Sequence, residues 1–315
     1  MTEKPPKEAR LKLGFTGIIL IIALCVGVLR YLLGSAYAQR AALYFGVPFF
    51  IALGLYFLFP KTDAETRIGY NLYRLRDATI IMLATSLILF EGFICVLMFM
   101  PIYYIAFGIG MLYAQSANRA NRDKGKFNVH IIPLVVLVMS TEGMFPQTSL
   151  QRENQVTFTK TINASIDELK QNMAEPITFT QRRNWFLSIF PLPTDIDAGS
   201  LNAGDIHTLH FVYKRWFFTN IKEGDMKLRI AEVGDTEIRT EIIENTSYLA
   251  SYMSIGGTRV QFKALDPNRT EVTLTLYYKR TLDPAWYFGN LQHFAMTKSA
   301  AYLIETVIQR EYSDG

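Results

Sequence analysis

The chain has 315 residues, half of them apolar, and a formal net charge of +4. This composition excludes an intrinsically disordered protein, and the long apolar runs of the first half exclude an ordinary soluble one. The small charge is spread along the chain without a basic stripe or a nucleic-acid-binding motif, so we do not expect nucleic acid as a partner.

The N-terminal region predicts two membrane spans. Residues 1–12 are rich in lysine and arginine and are expected to be cytoplasmic. The apolar stretch 13–33 can cross about 30 Å of hydrocarbon as a helix. A secretory signal peptide is the alternative, because residues 35–38 imitate a cleavage site, but the apolar stretch is longer than such peptides carry. The second span is predicted at about 41–59, with Pro48 tolerated inside it.

The apolar run from Ala78 to Ala114 predicts a helical hairpin. As one helix it would extend about 55 Å, nearly twice the hydrocarbon thickness. Both flanking loops are rich in lysine and arginine, which places both ends of the run on the cytoplasmic side. We therefore predict spans at about 78–96 and 98–114, with the turn between Glu91 and Pro101.

Glu91 is a carboxylate inside this apolar run. The hairpin puts it near the far interface, where a charge costs much less than the about 2.5–3.5 kcal/mol of mid-bilayer. We expect Glu91 to cap the turn or contact a helix, and the alternative is a proton or ion site in the bundle. The chain has few other ionisable groups in its apolar runs, so a pump or channel is not predicted.

A weaker apolar segment, 127–145, is just long enough for a fifth span. If it crosses, the transmembrane region 13–145 has five spans and the second half of the chain lies outside, which in a bacterium is the periplasm. If it lies flat on the membrane, the second half is cytoplasmic. We favour the crossing, followed by a linker at 146–154.

Residues 155–311 have the pattern of a folded domain. The segment 156–162 alternates apolar and polar residues as a half-buried strand does, and Ser165 with Glu168 predicts a capped helix. A long helix is predicted from about Pro284 to Arg310. Further strands, joined by hairpin turns at "KEGD", "GD" and "DPN", are predicted at 206–216, 226–233, 237–243, 259–265 and 271–278.

The order of these elements predicts the fold class. The terminal helix carries one apolar stripe, formed by Met296, Ala300, Leu303, Ile304 and Val307. We predict an α+β domain in which an antiparallel sheet wraps on this long C-terminal helix, preceded by an all-α transmembrane bundle. The space between sheet and helix is either filled with side chains or open to an apolar ligand.

Three motifs carry a family resemblance. The patterns "TINASIDEL" at 161–169, "GGTRVQF" at 256–262 and "SAAYLI" at 299–304 resemble the START-like, or SRPBCC, superfamily, which includes polyketide cyclase-like and lipid-transfer proteins. With "EGFICVLMFMP" upstream, the chain is similar to bacterial membrane-anchored members. The resemblance implies a helix-grip fold with a hydrophobic cavity, and it supplies no catalytic residue set that can be transferred to this sequence.

Candidate cavity residues follow from the alternation of the second and last predicted strands. One face of each strand should look towards the terminal helix, where a tyrosine or histidine can orient the polar end of a ligand. A structural role for His207 is the alternative. His207 and His210 face opposite sides of their strand and cannot readily share an ion, so neither a metal nor a cofactor is expected. The predicted cavity residues are His207, Leu209, Phe211, Tyr213, Leu274, Leu276 and Tyr278.

Aromatic residues near the expected mouth of the cavity are candidates for a lid or for contact with lipid headgroups. The alternative is that they close the core. Lys214 and Arg215 could meet anionic headgroups beside them. The predicted lid or membrane-contact residues are Trp185, Phe186, Phe190 and Trp216.

The sequence thus predicts a bacterial inner-membrane protein whose START-like domain binds, presents or shuttles a hydrophobic small molecule, such as a lipid or isoprenoid. One alternative is a cyclase- or hydrolase-like enzyme that uses the same cavity. The other is an accessory or scaffold subunit with a membrane-protein partner. No carboxylate pair, Ser-His-Asp arrangement or nucleophile elbow is visible in the sequence, so a binding protein is favoured over an enzyme.

Overall fold

The computed structural model describes residues 40–59, 66–88, 92–123, 131–179, 185–216 and 219–310. The chain divides into two compact units, Met1–Ser149 and Leu150–Gly315. The predicted cytoplasmic N-terminus, the predicted span 13–33 and Glu91 lie outside the described residues, so the predictions for them stay predictions.

The described part of the first unit is helical. Its helices are α1 (Ala42–Leu58, with a π-helical first turn), α2 (Arg67–Ile88), α3 (Phe93–Asp123) and α4 (Ile131–Ser140). Helices α2 and α3 run antiparallel. The Tyr103 hydroxyl donates to Ala78 O at 2.8 Å, whereas Gln115, further along α3, donates to Asn71 Oδ1, earlier in α2, at 2.9 Å.

The break between these two helices lies at the Gly92 end of the predicted turn region 91–101. The chain reverses between Ile88 and Phe93, and Pro101 lies inside α3 rather than at the turn. A helix interior can contain a proline in an apolar environment when neighbouring groups satisfy the freed carbonyl. The predicted boundary between spans 78–96 and 98–114 is therefore displaced towards Gly92.

One described helix of this unit, over Ile94–Asn118, is long and apolar enough to cross a bilayer, a property shared by core helices of soluble proteins. The described part of helix α4 lies inside the predicted span 127–145. It ends at Ser140, and a turn with Gly143 at φ 79° follows. The ten described residues extend about 15 Å.

The described residues of the second unit form two α-helices and eight strands. In chain order they are β1 (Glu153–Ile162), α5 (Ile166–Ala174), β2 (Ile177–Thr178), β3 (Pro193–Asp197), β4 (Ile206–Trp216), β5 (Thr219–Val233), β6 (Glu237–Asn245), β7 (Met253–Asp266), β8 (Arg269–Arg280) and α6 (Ala285–Leu303), which continues as the π-helix Ile304–Gln309.

The strands form one antiparallel sheet in the order β1-β8-β7-β6-β5-β4-β3-β2. Its inner face packs on α6. Leu274 and Leu276 of β8 share one buried core with Met296, Ala300 and Ile304 of the helix. The predicted helix-grip fold is therefore confirmed, and so is the apolar stripe of the terminal helix.

Two glycines allow the sheet to curl tightly. Gly257 has φ 150° beside a register shift in β7, and a Cβ there would lie 2.1 Å from Thr240 O of β6. In β5 a Cβ on Gly224 would lie 2.5 Å from Thr246 O. Close backbone approach of this kind is a known reason for glycine in strands.

One predicted turn is wrong. "KEGD" at 222–225 lies inside β5, where Gly224 pairs with Phe211 of β4. The reversal occurs between Trp216 and Thr219, which form the last pair of this hairpin. Tertiary contact overrides the turn propensity here, because Thr246 passes close to Gly224.

Two local interactions hold the ends of the helices in this domain: the predicted cap of α5 is confirmed, and the contacts of Arg310 were not predicted. Ser165 and Glu168 form a capping box on α5. After the π-helix, Arg310 adopts a left-handed conformation, φ 51° and ψ 46°, and its Nη2 donates to Asn172 O at 2.7 Å and Glu175 O at 2.9 Å. Arg310 thus ties the end of α6 to the end of α5.

Candidate functional site

A predominantly apolar cavity of about 170 Å³ lies between the sheet and α6. One water molecule needs about 10–15 Å³ on the same scale, so the cavity exceeds the space for one water more than tenfold. The core of this domain is therefore incompletely filled by its own side chains. Two possibilities were predicted, an interior filled by side chains and an interior with free space. The structure has the interior with free space.

The cavity has a sheet wall and a helix wall. The sheet wall comes from the inward-facing residues of β4 to β8, including Leu209, Phe211, Met226, Leu228, Ile230, Ile242, Val260, Leu274 and Leu276. The helix wall comes from α6 and its π-helical extension, through Met296, Ser299, Tyr302, Leu303, Val307 and Ile308. A π-helical segment widens the helix locally and often occurs at functional sites.

A few polar side chains interrupt the apolar lining. Thr240 and Thr258 face each other across β6 and β7, with hydroxyl oxygens 2.8 Å apart. Ser299 of α6 donates its hydroxyl to Ala295 O at 3.0 Å. These groups already have partners in the protein, and Thr240 Oγ1 accepts a second hydrogen bond, from Thr258 N at 3.1 Å.

His207 is buried in the sheet wall, and its Nε2 lies 2.7 Å from Ser200 O. Since a carbonyl only accepts, Nε2 donates and Nδ1 is the acceptor in the neutral tautomer. Asp205 holds the adjoining loop, because its Oδ2 accepts from Ser200 Oγ and from Asn202 N, both at 2.6 Å. These hydrogen bonds lower the pKa of Asp205.

Tyr302 is the unusual polar residue of the helix wall. Its side chain is 7% exposed and its ring stacks on Phe179, with ring centroids 5.9 Å apart. Its hydroxyl oxygen is enclosed and has no hydrogen-bond partner among the residues that the structure describes. Buried hydroxyls are normally paired, and an unpaired one costs about 1–3 kcal/mol.

Glu175 lies at the margin of the cavity, at the end of α5. Its Oε2 forms an ion pair of 3.1 Å with Arg310 Nη1. Glu175 and His207 are the only acidic or basic side chains among the described residues that line the cavity. The lining therefore presents His207, a few hydroxyl groups and one carboxylate that is already engaged.

The structure brings most of the predicted cavity residues together. Five of them line the cavity, namely His207, Leu209, Phe211, Leu274 and Leu276. Tyr213 does not, because Tyr248 from a 3-10 turn stacks on its ring with centroids 4.7 Å apart. Tyr278 is packed in the core further along β8, where burial raises the pKa of its hydroxyl.

The hydroxyl groups of the lining were not predicted from the sequence. A usable signal was present in the two strands. Thr240 stands between Ile238 and Ile242, and Thr258 precedes Val260, so a threonine takes an inward-facing position in each strand. Tyr302 gave no such signal, because tyrosine fits an ordinary helix–sheet interface equally well.

The predicted lid residues form most of an exposed aromatic cluster. Phe186 lies at its centre, with ring centroids 5.1 Å from Phe294 of α6, 5.2 Å from Phe190 and 6.0 Å from Trp185. Trp185 is 77% exposed and Phe294 is 49% exposed. We call Trp185, Phe186, Phe190 and Phe294 the aromatic cap; the side chain of Trp216 lies outside the described part of the chain.

The aromatic cap adjoins the Tyr302 end of the cavity. Phe186 packs against a small core formed by Phe179, Leu187 and Tyr302. Lys298, one turn after Phe294 on α6, has its Nζ 5.6 Å from the centroid of the Phe294 ring. The cap thus combines exposed aromatic surface with a cation, at the edge of the cavity.

His210 lies on the outer face of β4, opposite to His207. Its Nδ1 is 2.8 Å from Asp225 Oδ1, and its Nε2 is 3.8 Å from Asp195 Oδ1. The hydrogen bond with Asp225 raises the pKa of His210. Across the described residues no cluster of three metal-ligating side chains occurs.

No protein-family model matches the sequence, and no curated protein matches it either. Several solved structures are similar to about half of the chain. The Zhui aromatase/cyclase from Streptomyces sp. R1128 has 15% identity and a TM-score of 0.31, covering 52% of this chain and 98% of its own. A START superfamily protein from Mycobacterium smegmatis has 13% identity and a TM-score of 0.28, covering 47% and 98%.

A third similar structure, the major latex-like protein 151 of Panax ginseng, has 9% identity and a TM-score of 0.28, covering 48% of this chain and 98% of its own. These structures are what the chain is similar to over about half of its length. The helix-grip fold itself follows from the strand order and from the position of α6.

Proposed function

We propose that the second unit binds a small hydrophobic molecule in the cavity between its sheet and α6, and presents or shuttles it at the membrane in which the first unit is anchored. The main support for ligand binding is the cavity of about 170 Å³. Burial of apolar ligand surface in this cavity contributes about 25 cal/mol per Å² to the affinity.

Membrane anchoring is supported by the surface of the first unit. Besides the apolar helix Ile94–Asn118, the described residues of this unit expose many large apolar side chains, more than a monomeric soluble surface usually carries. Those that are more than half exposed include Phe57, Ile68, Leu87, Leu112, Ile131 and Val138. We propose further that this membrane is a bacterial inner membrane and that five spans leave the C-terminal domain in the periplasm.

The aromatic cap supports exchange of the ligand with lipid. Tryptophan and phenylalanine favour the interface between headgroups and acyl chains, and a lysine can meet anionic headgroups beside them. The cap borders the Tyr302 end of the cavity, so a molecule that leaves there passes from one apolar environment to another.

The test of binding is native mass spectrometry of the full-length protein, purified in detergent. We expect an additional mass of lipid or isoprenoid size on the wild type. Leu209→Trp should remove this mass, because the new ring occupies the cavity, whereas Val212→Trp should retain it, since Val212 is exposed on the same strand. Repeated absence of any bound mass on the wild type, or its retention by Leu209→Trp, would contradict the proposal.

The test of orientation is a reporter fused after Gly315. Active alkaline phosphatase and dark green fluorescent protein are expected if the C-terminal domain is periplasmic. The opposite pair of signals would place the domain in the cytoplasm and leave the binding proposal intact.

A further inference from the structure

We propose that Arg310 is the latch of a gate into the cavity. Its side chain holds the end of α5 against the π-helix that extends α6, and release of its hydrogen bonds opens the cavity to incoming molecules. The gate consists of residues 172–178 on one side and of the π-helix Ile304–Gln309 on the other. The purpose of the gate rests on the proposed function, because it gives the entrance to the same cavity.

One guanidinium group joins the two sides of the gate. Arg310 Nε and Nη2 donate to Asn172 O at 3.1 and 2.7 Å, and Nη2 also donates to Glu175 O at 2.9 Å and to Pro176 O at 3.4 Å. Arg310 Nη1 lies 3.1 Å from Glu175 Oε2. Hydrogen bonds from a charged donor are stronger than those between neutral groups. Loss of this one side chain therefore removes several strong contacts at once.

The two sides of the gate are part of the cavity wall. Met173 and Glu175 at the end of α5 line the cavity, and so do Val307 and Ile308 of the π-helix. Asn172 Nδ2 adds a second link between the two sides, to Ile308 O at 3.0 Å. The Glu175 side chain is 51% exposed, so the latch lies between the cavity and solvent. Separation of the two sides would therefore open the wall itself.

Helix α5 is fixed at its first turn and not at its last. The capping box of Ser165 and Glu168 holds the first turn, and Leu169 is completely buried in the core. After the latch, β2 contains two residues, Ile177 and Thr178, which pair with β3. A helix that is fixed at one end and held at the other by side-chain hydrogen bonds can swing about its fixed end.

The backbone at the end of α6 is irregular where the latch begins. The helix changes from α to π at Ile304, and Arg310 has φ 51° and ψ 46°, a left-handed conformation that is unfavourable for a residue with a side chain. The contacts of the Arg310 side chain keep this conformation in place. When they break, the last turn can relax, and this relaxation favours the open gate.

The test measures how fast a small reagent reaches a thiol inside the cavity. In the full-length protein, Cys25→Ser and Cys95→Ser remove both native thiols, and Leu274→Cys places one in the sheet wall. The probe is N-ethylmaleimide, which is small and uncharged, and mass spectrometry of the protein in detergent follows the labelling. We expect Arg310→Ala to speed the labelling at least tenfold, because the gate then opens more often.

Two matched variants examine the latch itself. Lys160→Ala breaks another ion pair of the π-helix, from Lys160 Nζ to Glu305 Oε1 at 3.2 Å, which leads to β1 instead of α5. It should change the labelling rate less than twofold. Glu175→Gln removes the negative charge of the latch but keeps the carbonyl acceptors of Arg310, so it should speed the labelling only about two- to threefold. An effect of Lys160→Ala as large as that of Arg310→Ala would contradict the proposal.

A second position for the thiol separates opening of the gate from unfolding of the domain. Val156→Cys lies in the same buried core but outside the described cavity lining. Arg310→Ala should accelerate labelling of Leu274→Cys at least fivefold more than labelling of Val156→Cys. Equal acceleration at both positions would show a general loss of stability and would overturn the gate. An unchanged rate at Leu274→Cys, with complete labelling in urea, would overturn it as well.

The labelling test needs no ligand, so its failure is distinct from that of the proposed function. If native mass spectrometry finds a bound mass but the labelling rate does not depend on Arg310, the gate is wrong and the binding function stands. If no bound mass is found although labelling depends on Arg310, the binding function fails and the latch stands.

Discussion

Asp283 Oδ1 lies 2.6 Å from Arg280 Nη1, and both side chains are almost completely enclosed. Arg152 Nη2 approaches the other carboxylate oxygen of Asp283 to 2.7 Å. The carboxylate therefore joins the segment before β1, the end of β8 and the start of α6. Two arginines depend on one buried acid, so the loss of that acid leaves two charges without their partner.

We expect Asp283→Ala to destabilise the C-terminal domain by about 3–5 kcal/mol, because breaking a buried ion pair leaves uncompensated charge. The measurement is the urea unfolding transition of the full-length protein. Asp266→Ala is the control, since Asp266 forms an ion pair with the same sequence spacing to Arg269 but is exposed. It should cost at most about 1 kcal/mol. Equal effects of the two substitutions would refute the structural role assigned to Asp283.

The neighbouring glycines of the "GGTRVQF" motif should respond very differently to alanine. A Cβ on Gly257 would lie 2.1 Å from Thr240 O, whereas a Cβ on Gly256 meets nothing closer than 3.6 Å. We expect Gly257→Ala to cost about 3 kcal/mol and Gly256→Ala to lie within about 1 kcal/mol of the wild type. Thermal unfolding of both variants checks this, and similar melting temperatures would contradict the proposed close approach of β6 and β7.

His210 predicts a pH dependence of stability. Its hydrogen bond with Asp225 raises its pKa in the folded state above the about 6.5 of an unfolded chain. The pair therefore stabilises the fold fully below the unfolded pKa, and this contribution is lost as the pH rises through the folded pKa. Asp225→Asn should flatten the change in melting temperature between pH 6 and pH 8.

Glu223→Gln is the control for this pH profile, because it removes the same charge from an exposed position of the same strand. It should leave the wild-type profile between pH 6 and pH 8 intact. A profile of Asp225→Asn that matches the wild type would mean that His210 does not contribute.

The aromatic cap predicts direct lipid contact of Trp185. In a variant that carries Trp216→Phe and Trp286→Phe, the remaining tryptophan is Trp185. We expect nanodiscs with brominated lipid to quench its fluorescence, since the exposed ring should enter the headgroup region. A second sample with bromine only near the ends of the acyl chains should quench it less. An unquenched signal in both samples would contradict contact between the cap and the bilayer.

Much of the fold was predictable because the structural preferences of short segments agree with the contacts that these segments make in the folded domain. The bounds of β4 were predicted correctly, and Ser165 with Glu168 forms the expected capping box. Strands β2 and β3 were missed, because Pro193, Asp195 and Asp197 are poor strand residues and pairing with β4 compensates for them. The "KEGD" turn failed for the same kind of reason, since Gly224 serves a close backbone approach.

The site was predictable to the extent that alternation determines it. Leu209 and Phe211 of β4 and Leu274 and Leu276 of β8 take inward positions and line the cavity. Tyr213 is covered by Tyr248, which is distant in sequence, and no pattern along β4 could show this. The unpaired hydroxyl of Tyr302 is likewise a property of its three-dimensional surroundings.

The pairing of β1 with β8 has a consequence for how the protein is made. Thr157 and Thr275, whose hydroxyls lie 3.2 Å apart, are 118 positions apart in the chain. The first strand thus leaves the ribosome long before its partner has been translated. Until then its edge is unpaired and can pair with the wrong segment. Synthesis, and any export, of nearly the whole domain has to be finished before the sheet can close.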